Sequence, residues 1–279
     1  MRSKKRITNT LYHIFMIVGG FIMLYPLFWL VGQSFKTNAE YYASPQSIIP
    51  MMPTIQNYIE GWKGFARLSF STFFKNSIFI AVLSTIGQVT SCALVAFGFS
   101  RVKFKGRKTW FGLMLMTMML PSQVLMIPRY LLFNEIGWIG TYLPILVPEF
   151  LGSASSVFML MQFIRNIPKS VDEAAIIDGC NEFQLFGHIA LPLIKPALAT
   201  VGITSFMGAW SNFMGALLYL NKPSMYPVAY ALKLFGDETG TNYGPMFAMS
   251  VLSLLPVIIL FFIFQKSLVE GVSTSGIKG

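Results

Sequence analysis

EAAIIDGCNEFQLFGHIALPLIKP, residues 173–196, is a polar stretch with two glycines and two prolines, and strongly apolar runs lie on both sides of it. Pro168 precedes the stretch, and Ser170 followed by Glu173 has the capping-box spacing that predicts a new helix. Gly179 is the residue type that ends a helix in the left-handed conformation. The stretch therefore predicts a short helix that stops at Gly179 and a second helix beyond it.

The second short helix is predicted from Asn181 and Gln184, which repeat the spacing of a cap and its partner. Phe183, Phe186 and Ile189 then recur every three residues and predict an apolar face. This face could lie in the lipid headgroups, or it could contact a protein partner. Four acidic residues would be repelled by an anionic leaflet and favour a partner with basic residues; they are Asp172, Glu173, Asp178 and Glu182.

The composition around this stretch predicts a polytopic α-helical membrane protein. Of the 279 residues, 54% are hydrophobic and only 11% are charged, whereas soluble domains carry about 25% charged residues. The net charge of +10 could indicate nucleic-acid binding, but no basic and aromatic recognition module accompanies it. Two cysteines and two histidines without metal-ligand spacing predict neither a disulfide framework nor a metal site.

Six apolar runs predict six transmembrane helices, because each approaches the ~20 residues that cross a bilayer. The runs cover about 11–31, 77–100, 110–128, 143–164, 197–220 and 246–264. The third run contains Pro121 and Pro128, which are both expected to kink it. The fourth run contains Glu149, an acid expected to pair with Arg129 at the outer end of the third run or to face a wet cavity.

The distribution of basic residues predicts that both termini are cytoplasmic. Fourteen of the 21 Lys and Arg residues then lie inside, five of them in the segment RVKFKGRK after the second run. The predicted organisation is a cytoplasmic segment at 1–10, a first helix at 11–35, an external loop at 36–75, a five-helix core at 76–266 and a cytoplasmic tail at 267–279. Stretch 169–192 lies on the cytoplasmic side of this core.

The opening stretch resembles the cytoplasmic signature of ABC importer permeases. The matching positions are Glu173-Ala174-Ala175, Gly179 and Ile189-x-Leu191-Pro192. Ile177-Asp178-Gly179, the prolines at 192 and 196, and Trp210-x-Asn212-Phe213 are similar to the carbohydrate-uptake branch of the maltose-permease type. The resemblance extends over nearly the whole chain, from Pro53-Thr54-Ile55-Gln56-Asn57-Tyr58 to the ending Glu270-Gly271-Val272.

This resemblance implies a type I importer permease fold in a prokaryotic cell membrane. Stretch 169–192 would form the coupling helices that fit a cleft of a cytoplasmic ATPase subunit, with Glu173 meeting an arginine there. The ATPase-coupling residues would be Glu173, Ala174, Ala175, Asp178, Gly179, Phe183, Phe186, Ile189, Leu191 and Pro192. The implied partners are two ATPase subunits, a second homologous permease, an external solute-binding protein, a sugar and membrane lipid. ATP and Mg would be used by the ATPase subunits, since this chain has no phosphate-binding Gly-Lys-Ser/Thr loop.

Two further sets of residues are candidates for transport. Polar residues inside the apolar runs could line the solute pathway or hydrogen-bond a neighbouring helix; they are Gln88, Gln123, Glu149, Trp210 and Asn212. The outer loop 221–245 is expected to contact the binding protein through Pro223, Tyr226, Asp237 and Tyr243.

Other classes of membrane protein stay open from the residues alone. An ion-coupled secondary transporter would need carboxylates near the membrane midplane, and Glu149 is the one available acid. An ABC permease for a non-sugar solute, a channel and a receptor are further alternatives. The identity of the sugar, the permease that contacts it and the use of a dedicated or shared ATPase are not determined by these residues.

Overall fold

The chain is mostly helical in the part that the computed structural model describes, residues 2–235 and 243–276, with side chains described for 9–235 and 243–265. Within these ranges the sole β-structure is an isolated bridge between Phe65 and Leu68. The α-helices are α1 (Arg2–Ser34), α2 (Asn38–Ala43), α3 (Gln56–Lys63), α4 (Phe70–Arg101), α5 (Arg107–Thr117), α6 (Met126–Glu135), α7 (Leu143–Leu146), α8 (Ala154–Asn166), α9 (Lys169–Ile177), α10 (Glu182–Gln184), α11 (Leu191–Leu193), α12 (Lys195–Trp210), α13 (Phe213–Tyr219), α14 (Val228–Leu234) and α15 (Tyr243–Gly276). Two 3-10 turns, Val147–Leu151 and Pro223–Met225, and a π-helical turn, Leu185–Ala190, complete the set.

Four helical segments of the described residues are long and apolar enough to cross a membrane: Asn9–Ser34, Phe70–Arg101, Leu143–Asn166 and Tyr243–Gln265. A fifth candidate is formed if Glu182–Leu193 and Lys195–Trp210, which meet at 79°, are counted together. The polytopic helical class predicted from composition is therefore confirmed.

The predicted third transmembrane run, 110–128, is not one helix. Helix α5 ends at Thr117 and α6 begins at Met126. Pro121 explains the break, because a proline ring clashes with the carbonyl four residues earlier, which here belongs to Thr117. The prediction that Pro128 also kinks this run is wrong, since Pro128 lies in the first turn of α6, where proline is tolerated.

The second and fifth runs also differ from their predicted limits. Helix α4 begins at Phe70, before the predicted start at residue 77. Run 197–220 is divided into α12 and α13, because the side chain of Asn212 accepts a hydrogen bond from the backbone N–H of Gly215 and caps α13. Polar capping thus interrupts an apolar segment that hydropathy alone predicts to be continuous.

The contacts within the chain divide it into two compact units. The first is Met1–Phe70 with Leu232–Leu255, and the second is Ser71–Ala231 with Pro256–Gly279. In the second unit, a core cluster joins α4, α8 and α12 through residues such as Ala96, Leu160 and Val201, all fully buried. A second cluster around Ile80, Phe133 and Tyr219 lies toward the other end of α4. These clusters position the segments that contain the candidate functional residues.

In the first unit, a buried lysine holds the segment after α1. The Nζ atom of Lys36 donates to the carbonyls of Ser44 (2.8 Å) and Ser47 (2.6 Å), and Lys36 is 1% exposed. Nε2 of Gln33 donates to the carbonyls of Pro45 (3.1 Å) and Ser47 (2.8 Å). The predicted external loop is therefore an ordered structure built on buried polar side chains.

We expect Lys36→Met to loosen this segment. Methionine fills similar space but cannot donate, so the carbonyl of Ser44 keeps only the N–H of Ser47 (3.4 Å) and the carbonyl of Ser47 keeps only Nε2 of Gln33. Each lost hydrogen bond from the charged amine contributes about 1.5–3 kcal/mol. Limited proteolysis of the purified protein should cut the segment between α2 and α3 faster in this variant. Lys63→Met, at an exposed position in α3, is the matched control. Equal cleavage of the two variants would show that the Lys36 contacts contribute nothing.

Candidate functional site

The first helix of the predicted coupling stretch, α9, begins at Lys169, before the position that Ser170 would give it as a cap. Pro168 is the cap residue, and no side-chain hydrogen bond caps the helix. The predicted capping box between Ser170 and Glu173 is therefore wrong. Pro168 forces the residue before it into extended backbone, so the chain can turn into a helix directly after the proline.

The end of α9 confirms the prediction for Gly179. Gly179 has φ +85°, its N–H donates to the carbonyl of Ile176 (3.0 Å), and the N–H of Cys180 donates to the carbonyl of Ala175 (2.9 Å). A left-handed glycine at this position satisfies carbonyls that the helix end would otherwise leave open. It also fixes the direction in which the chain leaves α9.

The second predicted helix begins with the capping box that the sequence indicates. The side chain of Asn181 accepts from the N–H of Gln184, and the side chain of Gln184 accepts from the N–H of Asn181, both at 2.9 Å. Helix α10 then passes into the π-helical turn Leu185–Ala190 and α11. The two predicted short helices are both present.

The predicted apolar face of the second helix is present in part. Phe186 and Ile189 are half-buried against the core cluster, and the ring centroid of Phe186 lies 5.2 Å from that of Phe97 in α4. Phe183 is 84% exposed and does not share this packing. Leu185 and Ala190 are nearly fully buried, because the π-helical turn is wider than the three-residue spacing that the sequence suggests.

The paired helices present apolar side chains on their free surface. Ile177 is 85% exposed and Ile176 is 60% exposed, close in sequence to the exposed acids Glu173 and Asp178. Ala174 and Pro192 are also exposed, Ile189 and Leu191 are half-buried, and Ala175 is buried. Large exposed apolar side chains rimmed by charges are typical of a protein-interaction surface.

An ion pair joins α9 to the end of α4. Nε of Arg101 lies 2.8 Å from Oδ2 of Asp172, and the two side chains are 12% and 15% exposed. The same guanidinium donates to the carbonyls of Ile164 (2.9 Å) and Ile167 (2.7 Å). Arg101 therefore links α4, the end of α8 and α9 through one side chain.

This link was not predicted from the sequence. In the sequence, Arg101 is one of several basic residues that predict how the chain is oriented in the membrane. Asp172 is one of several acids that are predicted to lie near a membrane surface. Two residues 71 positions apart give no local spacing signal. Opposite charges in two segments predicted for the same side of the membrane are the one signal that could have suggested the pair.

We expect Gly179→Ala to disturb the coupling stretch and Gly187→Ala to leave it intact. A Cβ added to either glycine would meet no neighbouring side chain or distant backbone atom within 4 Å, so neither substitution causes a steric clash. The two positions differ in backbone conformation, because only Gly179 has a positive φ. A non-glycine residue in the left-handed region costs about 1–2 kcal/mol. Transport by the reconstituted protein should fall for Gly179→Ala alone, and equal activity of both variants would contradict this role of the glycine.

The candidate pathway residues are in different surroundings. Nε2 of Gln88 donates to Oγ of Ser156 (3.0 Å), and Oγ of Ser205 donates to Oε1 of Gln88 (2.7 Å). Gln88 thus links α4, α8 and α12 by hydrogen bonds. Gln123 is exposed in the break between α5 and α6, and Trp210 is 5% exposed with its ring 5.8 Å from that of Phe206.

Glu149 and Asn212 line one cavity of about 260 Å³, together with Arg129 and Tyr219. Glu149 lies in the 3-10 turn Val147–Leu151, and Gly152 (φ +84°) separates that turn from α8. Arg129 and Glu149 make no direct ion pair among the described residues. The structure therefore places the two charges at a shared cavity without the contact that was expected.

The predicted outer loop is partly helical in its described residues, 221–235 and 243–245. Nδ2 of Asn76 donates to the carbonyls of Ser224 (2.9 Å) and Tyr226 (3.0 Å), which holds the part that contains Pro223 and Tyr226. Asp237 lies outside the described residues.

Tyr243 begins α15, and its ring centroid is 4.8 Å from that of Tyr41. Burial raises the pKa of the Tyr41 hydroxyl, and Tyr243 and Tyr42 add to that shift.

Comparison with known proteins identifies the family of the chain. Residues 88–274 match the family model described as binding-protein-dependent transport system inner membrane component. This match contains α9, the π-helical turn and the cavity around Glu149.

Several curated relatives are similar over nearly their whole length. The arabinooligosaccharides transport system permease protein AraQ of Halalkalibacterium halodurans is 31% identical over 93% of this chain and 92% of its own. A putative ABC transporter permease of Caldicellulosiruptor is 33% identical over 98% of each chain. The trehalose/maltose transport system permease protein MalG of Thermococcus litoralis is 31% identical over 97% of this chain and 99% of its own.

Solved structures share the fold. A chain of a bacterial ABC transporter involved in alginate import superposes with a TM-score of 0.82 at 23% identity, over 94% of this chain and 97% of that chain. A chain of an alginate ABC transporter in complex with a periplasmic protein gives a TM-score of 0.67 at 15% identity, over 93% and 94%. These similarities confirm the predicted type I permease fold, and the chain belongs to the family of binding-protein-dependent transport system inner membrane components.

Proposed function

We propose that this chain is the permease subunit of an ATP-driven importer that translocates a sugar or oligosaccharide across a prokaryotic cell membrane. The surface of α9 and α10 is the observation that carries the proposal. It presents Ile177 and Phe183, 85% and 84% exposed, beside exposed acids, and α9 is joined to α4 by the Arg101–Asp172 pair. Such a surface suits a protein partner that moves and transmits its motion to the bundle.

The assembly that we propose contains a second homologous permease, two ATPase subunits and an external solute-binding protein. This chain would cross the membrane six times with both termini cytoplasmic, the third crossing being formed by α5 and α6 and the fifth by α12 and α13. Stretch 169–192 would be the coupling element. ATP and Mg would be bound by the ATPase subunits, and this chain would catalyse no reaction itself.

The proposed sugar specificity is supported by the relatives, which are described as permeases for arabinooligosaccharides and for trehalose or maltose. The cavity with Arg129, Glu149, Asn212 and Tyr219 offers charged, amide and aromatic groups of the kind that hydrogen-bond and stack on a sugar. Gln123 and Trp210 do not line this cavity, and we propose that they contact the solute elsewhere along its pathway. We expect Gln88 to stabilise the packing of the helices around the pathway through its hydrogen bonds. The loop with Pro223, Tyr226, Asp237 and Tyr243 is proposed to contact the binding protein.

The test is to purify the tagged chain from its native membrane and reconstitute the copurifying subunits into proteoliposomes with the binding protein. We expect an ATPase in a stoichiometric amount and ATP hydrolysis stimulated by one sugar of a panel. Stimulation by a non-sugar solute alone would assign another substrate class. Uptake driven by an ion gradient without ATP would overturn the proposal in favour of a secondary transporter.

A further inference from the structure

Three cavities lie one after another along α4, α5 and α8. The first, about 630 Å³, contains Lys103, Arg107 and Arg165 in its lining, and the second, about 580 Å³, shares these three residues. The second cavity shares Phe99 and Phe104 with a third of about 420 Å³. Each cavity therefore shares wall residues with the next, and we call the three together the α4–α5 groove.

One end of the α4–α5 groove is strongly basic. Its lining contains five basic side chains and two acidic ones, Asp172 and Glu173. Asp172 is bound to Arg101, and no other ion pair joins two described residues, so the remaining basic residues of the lining have no described acid paired with them. This end therefore offers positive charge without a paired acid, which suits a phosphate group.

The other end of the groove is apolar. Beyond the basic end, the ring of Phe99 lies 5.7 Å from that of Phe104 and 6.0 Å from that of Phe111. The guanidinium of Arg165 lies 5.6 Å from the centre of the Phe111 ring, at the border between the two ends. The third cavity then continues along Val95, Leu113 and Val157. A ligand that fills the whole groove must therefore be charged at one end and apolar along the rest.

We propose that the α4–α5 groove binds an anionic phospholipid. The headgroup phosphate lies among Lys103, Arg107 and Arg165, and an acyl chain follows the phenylalanines into the third cavity. Basic pockets between membrane helices are suited to anionic lipid headgroups, since each Lys or Arg side chain attracts the negatively charged headgroup. A free phosphate would use the basic end alone, and an ATPase subunit would cover that end without entering the apolar one. The apolar cavities that adjoin the basic one favour the lipid.

The test is native mass spectrometry of the intact transporter complex in detergent, titrated with dioleoylphosphatidylglycerol. We expect Lys103→Gln to weaken retention of this lipid about fivefold, the effect of one basic residue at a lipid headgroup. The matched control is Lys105→Gln, which removes one charge from the same exposed segment but lines none of the three cavities. Dioleoylphosphatidylcholine should be retained much more weakly than phosphatidylglycerol.

A second variant tests the apolar end without changing a charge. Thr117→Phe narrows the third cavity, so it should weaken retention of dioleoylphosphatidylglycerol. Retention of dihexanoylphosphatidylglycerol, which has the same headgroup and much shorter acyl chains, should not change. Equal effects of Lys103→Gln and Lys105→Gln, or equal retention of the two headgroups, would overturn the proposal. Displacement of the lipid by millimolar inorganic phosphate would assign the basic end to free anions. Binding that appears only after the ATPase subunits are removed would assign it to the ATPase interface.

Discussion

Arg101→Met should almost abolish transport and lower the thermal stability of the protein. The guanidinium of Arg101 makes one ion pair and two hydrogen bonds to carbonyls, all at 2.7–2.9 Å. Removing one member of a largely buried ion pair costs about 3–5 kcal/mol, because the partner charge is left unpaired. Asp172 would then lose its only ion-pair partner among the described residues, and α9 would lose its polar link to α4.

The measurements are sugar uptake into proteoliposomes and thermal unfolding of the purified complex. Lys105→Met is the control, since it removes a nearby exposed charge that makes no ion pair among the described residues. Asp172→Asn separates charge from shape, and we expect it to lower transport less than Arg101→Met because the two carbonyl contacts stay. Normal uptake and normal unfolding of Arg101→Met would show that the link has no part in transport.

The second large effect is expected for Glu173→Lys, which should leave membrane insertion intact while uptake falls to background. We expect ATP hydrolysis to continue without stimulation by sugar. Glu173 is exposed on α9, and its position near the exposed Ile177 side chain suits contact with a basic partner surface. The reversed charge would repel that surface.

The comparison with Glu173→Gln separates charge from local helix stability. If Glu173 only capped the helix, the Glu173→Gln variant would keep normal uptake, since glutamine can cap as well. However, α9 begins at Lys169 and has no side-chain cap. We therefore expect Glu173→Gln to reduce uptake measurably as well. Glu182→Lys, an exposed acid at the start of α10, is the matched control and should reduce uptake less. Uptake at the wild-type rate by Glu173→Gln would show that the negative charge of Glu173 has no part in transport.

Local signals in the sequence predicted the parts of the site that depend on neighbouring residues. The cap at Gly179 and the box between Asn181 and Gln184 were predictable, because each uses atoms within a few residues. The position of the break at Pro121 was predictable, but its length, from the end of α5 at Thr117 to the start of α6 at Met126, was not. The whole-chain composition was sufficient for the membrane class.

Contacts between distant segments could not be predicted in the same way. The Arg101–Asp172 pair and the hydrogen bonds of Gln88 depend on how helices pack, which no spacing in the sequence encodes. The start of α9 was predicted wrongly because Pro168 overrides the weaker signal at Ser170. The burial of Leu185 and Ala190 was missed because the π-helical turn changes the period after Gln184.

The π-helical turn Leu185–Ala190 makes the length of this segment a structural parameter in its own right. A π turn holds more residues than an α turn, so deleting one residue here could restore a regular α-helix. The residues beyond the turn would then keep nearly their present orientation. A deletion of one residue from a regular α-helix, such as α12, rotates every residue after it by about 100°, the angle between successive residues. The wide turn, which lies just before the 79° bend into α12, can therefore absorb a change of one residue in length that a regular helix would pass on to the rest of the bundle.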